Sequence, residues 1–322
     1  MFDFKKLLLI SRPHIWIYTL GSFLFGLHFG CTGNAVSGDT YSGAHGSSIY
    51  GTFCNAFYGH SHRPFEVFGL MDFVSLFTLL YTILWLTVGA NIFLYAQNDA
   101  FDTESDVDNP KKTDFEYRAV APEKKSLLSL SYIFLCAYIP ILFFIPSVTV
   151  YVFTVWVLIV VTYNTPPLRL KAVPLLDCIF SFNFPLWGVF GYSLVTGALP
   201  SLTYLVFLGA FSILCHIYTA IGDIEYDKKS SIYTTAVLFK SERNNILVCI
   251  FGMIALVIYM HVLLPATEKL YVLPLTLYVL FFISHVIYEH YNKRGTAMHI
   301  WYSWFIKLHY IVGFLFTLIL MY

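Results

Sequence analysis

Two short patterns in this chain place oxygen ligands at helical spacing. Asn98, Asp102 and Asp106 follow one another at i, i+4 and i+8, and Asp223 and Asp227 repeat the i, i+4 step. On an α-helix that step drifts by about 40°, so each set lies along one face. Like charges so spaced destabilise a helix unless something neutralises them. Mg2+ does this by taking oxygen from one or two carboxylates and filling its shell with water and phosphate oxygens. With Lys and Arg nearby, two such clusters facing one another predict a Mg2+-bridged phosphate or diphosphate site. A run of charge is more often plain solvated surface. Here two clusters recur, each at the exit of an apolar run, which favours chemistry.

The elements that must position them are apolar helices. The chain has 322 residues, 58% hydrophobic and 12% charged, with a mean hydropathy of +0.69. Soluble domains carry roughly 25% charged residues, so a soluble globular fold is excluded, and disorder with it. Equal numbers of basic and acidic residues, 19 of each, give nucleic-acid binding no support. Crossing a bilayer as a helix takes about 20 apolar residues. Nine segments qualify: 13–30, 73–98, 126–146, 147–167, 173–197, 202–222, 246–264, 270–288 and 298–321. A secretory signal is rejected for the first, because no small-x-small cleavage site follows it.

Charge sets the orientation. With the N-terminus in the cytoplasm, 16 of the 19 Lys and Arg fall in inner segments, as the positive-inside rule requires. Twelve of the 19 acids lie on that same side, within 98–125 and 222–243. The expectation is an all-α integral membrane protein, a nine-helix bundle forming a single domain over 1–322, N-terminus inside. Residues 31–66 become an extracytoplasmic loop between spans 1 and 2. The site faces the cytoplasm, in the cell membrane.

At the acidic motifs the chain resembles the UbiA superfamily of intramembrane prenyltransferases. Asn98-Asp99-x-x-Asp102-x-x-x-Asp106 matches the family's first Asp-rich motif and Asp223-x-x-x-Asp227 its second. Between them, Tyr163-Asn164-Thr165-Pro166-Pro167-Leu168-Arg169-Leu170-Lys171 resembles the segment after helix 4. The resemblance implies nine membrane helices and an isoprenyl diphosphate donor bound through Mg2+. Within the superfamily, Asn98 to Lys112 and Asp223 to Ala236 look most like the lycopene elongase branch, which attaches prenyl units to linear carotenoids. Relatives often carry Gly before the TTA segment, where this chain has Ser231-Ile232-Tyr233.

The resemblance also implies roles. Asp102 and Asp106, with Asn98, would hold one Mg2+, and Asp223 with Asp227 the other. Arg118, Arg169, Lys171 and Lys228 are candidate diphosphate contacts, joined by Tyr163 and Asn164 as substrate-binding residues. Loss of a multiply charged leaving group in a low-dielectric site needs cations to neutralise it. The allylic cation would then be captured by a hydrophobic acceptor from the bilayer, lycopene or another linear carotenoid, or alternatively a quinone precursor or other lipid. The cation formed on a carotenoid end must lose a proton or capture water, and no residue is singled out for either. Phe180, Phe182, Phe184, Trp187, Phe190 and Tyr192 could shelter a cation, although aromatic residues also fill lipid-facing positions. Asp177 and Asn183 are the stronger intramembrane candidates, since a carboxylate in a span usually faces the bundle interior. Asp177 could equally lie shallow and pair with Arg169 or Lys171.

The remaining motifs are weak. Cys31 and Cys54 lie in the outer segment, where a disulfide could persist, and His60-x-His62 lacks the partner cluster a metal pair needs. No CxxC, P-loop or GxGxxG occurs, so zinc, nucleotide and NAD chemistry get no support. A cation transporter would carry acids deep in several spans, and a non-catalytic subunit would not need both motifs intact.

Overall fold

The computed structural model describes residues 3–32, 70–103, 117–229, 231–264, 269–270, 272–291 and 298–321, which are helical and carry no strand. Asp106 and the greater part of the 31–66 segment lie outside them. The chain divides into two compact units. The first comprises Met1–Arg169 with Asn183–Ser201, the second Leu170–Phe182 with Leu202–Tyr322.

The first unit opens with α1 (Phe4–Ser11), whose N-cap Asp3 accepts the Lys6 N–H at 2.8 Å. Arg12 stops this helix with φ +49°, and α2 (Trp16–Thr32) follows. Next come α3 (Leu70–Leu84), a π-helical turn (Trp85–Gly89) and α4 (Ala90–Phe101), which ends at the first acidic motif. The wider π turn frees carbonyls, and Asn91 Nδ2 takes up two of them, Leu86 O at 2.9 Å and Thr87 O at 3.1 Å. The helices α5 (Lys124–Tyr138), α6 (Ser147–Asn164) and α7 (Pro185–Thr196) complete the unit.

Helices α2 and α7 pack with their backbones almost in contact. A Cβ on Gly26 would lie 1.9 Å from Gly188 O, and one on Gly191 would lie 2.3 Å from Phe23 O. Glycine is what lets membrane helices approach this closely. Behind this seam is a closed aromatic core. Trp85 stacks on Tyr138 at 4.3 Å between centroids, and Trp156 meets Trp187 at 4.6 Å. Phe153 and Phe190 close it.

In the second unit, α8 (Leu202–Ala220) leads through a 3-10 turn (Ile221–Asp223) into the short α9 (Ile224–Lys229). Thr234 then caps α10 (Thr235–Leu238) and Ser241 caps α11 (Glu242–Leu263). Helices α12 (Leu273–Tyr291) and α13 (Met298–Met321) follow. The core joins Ile217, Tyr218, Ile246, Met253, Tyr278, Phe282 and Phe305. Tyr218 Oη also meets His285 Nδ1 at 2.8 Å.

Among the described residues, 6 helices are long and apolar enough to cross a membrane, or up to 7 when the bent pair Asp177–Asn183 and Pro185–Thr196 counts as one span. They fall on seven of the nine expected segments. Of the other two, 13–30 is represented by the 17-residue α2 and 298–321 by α13, whose apolar stretch is Ile300–Phe316. Large apolar side chains such as Ile133, Phe143, Leu158, Phe251 and Val262 are exposed along these helices. Apolar exposure on this scale suits contact with lipid, not water, and the chain is a multi-pass membrane protein.

Candidate functional site

The first acidic motif begins in the last turn of α4. Asp102 is the helix's C-cap, its N–H bonded to Asn98 O at 3.1 Å. That turn brings Asn98 Nδ2 within 2.9 Å of Asp102 Oδ2, and the same amide donates to Asn164 Oδ1 at 3.3 Å. Asn164 is fully buried at the end of α6 and fixed by its own donation to Val160 O. Just past α6 the chain turns back at Arg169, in the left-handed region at φ +38°. Its Nη2 then lies 3.5 Å from Asp102 Oδ1 and 3.4 Å from Phe101 O. Four sequence-predicted residues, Asn98, Asp102, Asn164 and Arg169, therefore meet in one place. Tyr163 is half-buried beside them in the chain, and Arg118 is exposed ahead of α5.

Arg12 contributes something that sequence reasoning missed. It reaches across 87 positions to Asp99, with Nη2 3.0 Å from Oδ1, and its guanidinium lies 4.1 Å from the Tyr95 ring centroid. Both partners are buried. The signal available was Asp99 itself, an acid inside the motif but off its ligand spacing, and Arg12 beside Pro13. Nearby, Tyr117 donates to Glu123, which also pairs with Lys6 at 3.5 Å. Burial, and then the Glu123 carboxylate, hold the Tyr117 hydroxyl above its ordinary pKa.

In the second unit, Asp223 closes the 3-10 turn and Asp227 follows one turn later, both half-buried. Asp227 Oδ2 accepts from Thr234 Oγ1 at 3.0 Å, and Asp227 O accepts from Ile232 N at 2.8 Å. Lys228 lines a depression of ≈ 350 Å³ with Ser231, Ile232, Tyr233, Val237 and Lys240. Ser231 takes φ +54°, a left-handed conformation that favours glycine. Lys171 is buried in this unit.

Of the two alternatives for Asp177, the structure has the buried one and not the pairing with Arg169 or Lys171. Asp177 lies 1% exposed, with both oxygens turned to Thr235, and His216 Nε2 is 3.6 Å from Oδ2. Arg169 instead turns to Asp102. Asn183 is buried as expected of an intramembrane polar residue, and its Oδ1 accepts from the Trp156 indole. Trp187 and Phe190 lie within the closed aromatic core, while Phe182 packs on Gly209 in the second unit.

The ligand chemistry at the motifs suits a hard cation. Asn98, Asp102, Asp223 and Asp227 offer only amide and carboxylate oxygens, the donors Mg2+ selects over softer metals. Among the described residues, three ligand atoms within 4.8 Å of one another occur only at Asp177, Cys178 and His216. The motifs do not need that density, because a diphosphate site completes the shell with phosphate and water. Cys31 is disulfide-bonded. Cys136, Cys178, Cys215 and Cys249 are free thiols. Cys54, His60 and His62 lie outside the described residues.

A multi-pass helical protein with oxygen-rich motifs at its helix ends is the class that fold and site define. Residues 68–316 match the UbiA prenyltransferase family, and the chain belongs to that family: it is a prenyltransferase. It is 30% identical to a lycopene elongase/hydratase of Haloarcula japonica over 76% of this chain and 70% of the relative. A lycopene elongase/hydratase of Haloferax volcanii is 29% identical over 74% of this chain and 66% of its own length. The fold resembles a UbiA homolog from Archaeoglobus fulgidus solved with GPP and Mg2+, at a TM-score of 0.57 and 17% identity, covering 96% of this chain and 99% of that one.

Proposed function

We propose that this enzyme transfers an isoprenyl group from an allylic diphosphate to the end of a linear carotenoid such as lycopene, in a Mg2+-dependent reaction. On this reading it is a nine-span single domain in the cell membrane, N-terminus inside, with its active site facing the cytoplasm. Asn98, Asp102 and Asp106 would hold one Mg2+, and Asp223 with Asp227 a second. When bound, the metal supplies charge neutralisation for the departing diphosphate. Arg118, Arg169, Lys171 and Lys228 would contact its oxygens, with Tyr163 and Asn164 supporting the first motif. The observation that carries the donor side is the convergence of Asn98, Asp102, Asn164 and Arg169. The acceptor rests on the relatives' likeness across most of this chain.

The allylic C–O bond breaks and its electron pair leaves with the diphosphate. An alkene of the acceptor then supplies the pair for the new C–C bond. The tertiary cation left on the acceptor ends by losing a proton to form an alkene, or by adding water and releasing a proton. The chain's own residues orient the leaving group: Arg169 neutralises charge beside Asp102, and Asn98 fixes the carboxylate's rotamer.

The test is co-expression in cells that accumulate lycopene, with pigments analysed by mass. Wild-type enzyme should add the mass of one or two isoprenyl units. Asp102→Asn and Asp223→Asn should each abolish the addition while the protein still inserts, and EDTA should stop transfer in isolated membranes. Lycopene of unchanged mass with wild-type enzyme would overturn the acceptor, and turnover surviving in both variants would overturn the site.

A further inference from the structure

Outside the two motifs, a buried polar group is centred on Asp177, in the 3-10 helix Asp177–Asn183. Its carboxylate reads a single residue with both oxygens: Thr235 N–H donates to Oδ2 at 2.9 Å, and Thr235 Oγ1 donates to Oδ1. Thr235 Oγ1 in turn accepts from Leu175 N at 2.7 Å and Cys178 Sγ at 3.5 Å. His216 Nε2 lies beside the same carboxylate. Asp177, Cys178 and His216 are types that ligate metal, yet here Thr235 already engages the carboxylate and the thiol. A hydrogen-bonded hub accounts for the geometry without an ion.

The hub's neighbour in sequence acts on the second acidic motif. A threonine hydroxyl has one proton to give. Thr234 gives its proton to Asp227 Oδ2 at 3.0 Å and accepts from Val237 N at 3.4 Å, capping α10. The dipeptide Thr234-Thr235 is thus held between two carboxylates, one fully buried and one in the motif. All of these contacts lie within the second unit.

We infer that Asp177 is a positioning residue for the second motif: it locks Thr235, and through the adjoining Thr234 it fixes the rotamer of the Asp227 carboxylate. The inference rests on reading Asp227 as a metal ligand. Groups that orient a ligating carboxylate typically change metal affinity by about 10–100-fold when removed. Asp177 touches Thr235 and His216, so its effect on Asp227 must pass through the threonine pair.

The experiment is Mn2+ binding by EPR, in detergent, with inorganic diphosphate present, alongside the melting temperature of each protein. Thr234→Val and Thr235→Val should each weaken Mn2+ binding by the folded protein about tenfold, and Asp177→Asn should do the same. Thr234→Ser and Thr235→Ser, which keep the hydroxyl, should restore it. Asp177→Asn combined with Thr235→Val should be no worse than either alone. Folded Thr234→Val or Thr235→Val protein with wild-type Mn2+ affinity, where Asp227→Asn loses it, overturns the inference. Should Asp177→Asn fail to fold, the two valine variants decide the question. Unchanged Mn2+ affinity in Asp227→Asn itself would overturn the metal reading of the motif instead.

Discussion

The Arg12–Asp99 pair offers the sharpest test of how the first motif is held. Its side chains are 9% and 0% exposed, with a separation of 3.0 Å. Arg12→Met keeps an unbranched apolar side chain and removes the guanidinium that lies over Tyr95. The Asp99 carboxylate then stays buried without the guanidinium that pairs with it. Breaking a buried pair from one side costs about 3–5 kcal/mol, whereas replacing both partners with apolar residues is often close to neutral. Arg12→Met should therefore lose about 3–5 kcal/mol, and Arg12→Met with Asp99→Met should recover most of it. SDS-driven unfolding in mixed micelles, followed by tryptophan fluorescence, measures both variants and Asp99→Met alone against the wild type. A loss below about 1 kcal/mol for Arg12→Met, or a double variant as unstable as the two single losses combined, would refute the reasoning.

Ser231→Gly should stabilise the protein by about 0.5–1 kcal/mol in the same assay, because the left-handed backbone penalises a Cβ by more than glycine loses in the unfolded chain. Gly26→Val should cost about 3 kcal/mol or more, since the new side chain meets the backbone of α7, which cannot rotate away as a flexible side chain would. Arg169→Gln should change stability by less than about 1 kcal/mol and raise the donor KM about tenfold, read by steady-state transfer over a range of isoprenyl diphosphate concentrations.

The apolar runs and the acidic spacing were legible because each leaves a local mark: a stretch long enough to cross lipid, or a carboxylate every fourth position. Six of the nine expected segments therefore coincide with helices that meet the length and composition of a span, with the bent pair falling on a seventh, and Asn98, Asp102, Asn164 and Arg169 lie together. Contacts between distant segments leave no such mark. Nothing near Asp177 points to Thr235, 58 residues on, so a basic neighbour was as good a partner as any. The π turn at Trp85–Gly89 was hidden for a different reason, since its residues are as apolar as those of the flanking helix turns. Ser231 falls between the two cases. The Ser231-Ile232-Tyr233 segment stood out in the sequence, but only the backbone shows that Ser231 itself takes a positive φ.

Two arginines of the first unit, Arg12 and Arg169, differ in how tightly the structure holds them. Both have positive φ and both meet an acid of the first motif. Arg12 is buried at 3.0 Å from its partner and stacked on Tyr95, so moving it would strand a charge on each side. Arg169 is 37% exposed and 3.5 Å from Asp102, beyond the roughly 2.7–2.9 Å of a strong charge-assisted bond. A guanidinium held that loosely gives up little when it turns to an incoming phosphate, and its fork of donors matches two phosphate oxygens at once. If Arg169 contacts the diphosphate as proposed, its looser and more exposed contact suits a residue that exchanges partners, whereas the buried Arg12 pair suits one that keeps its partner.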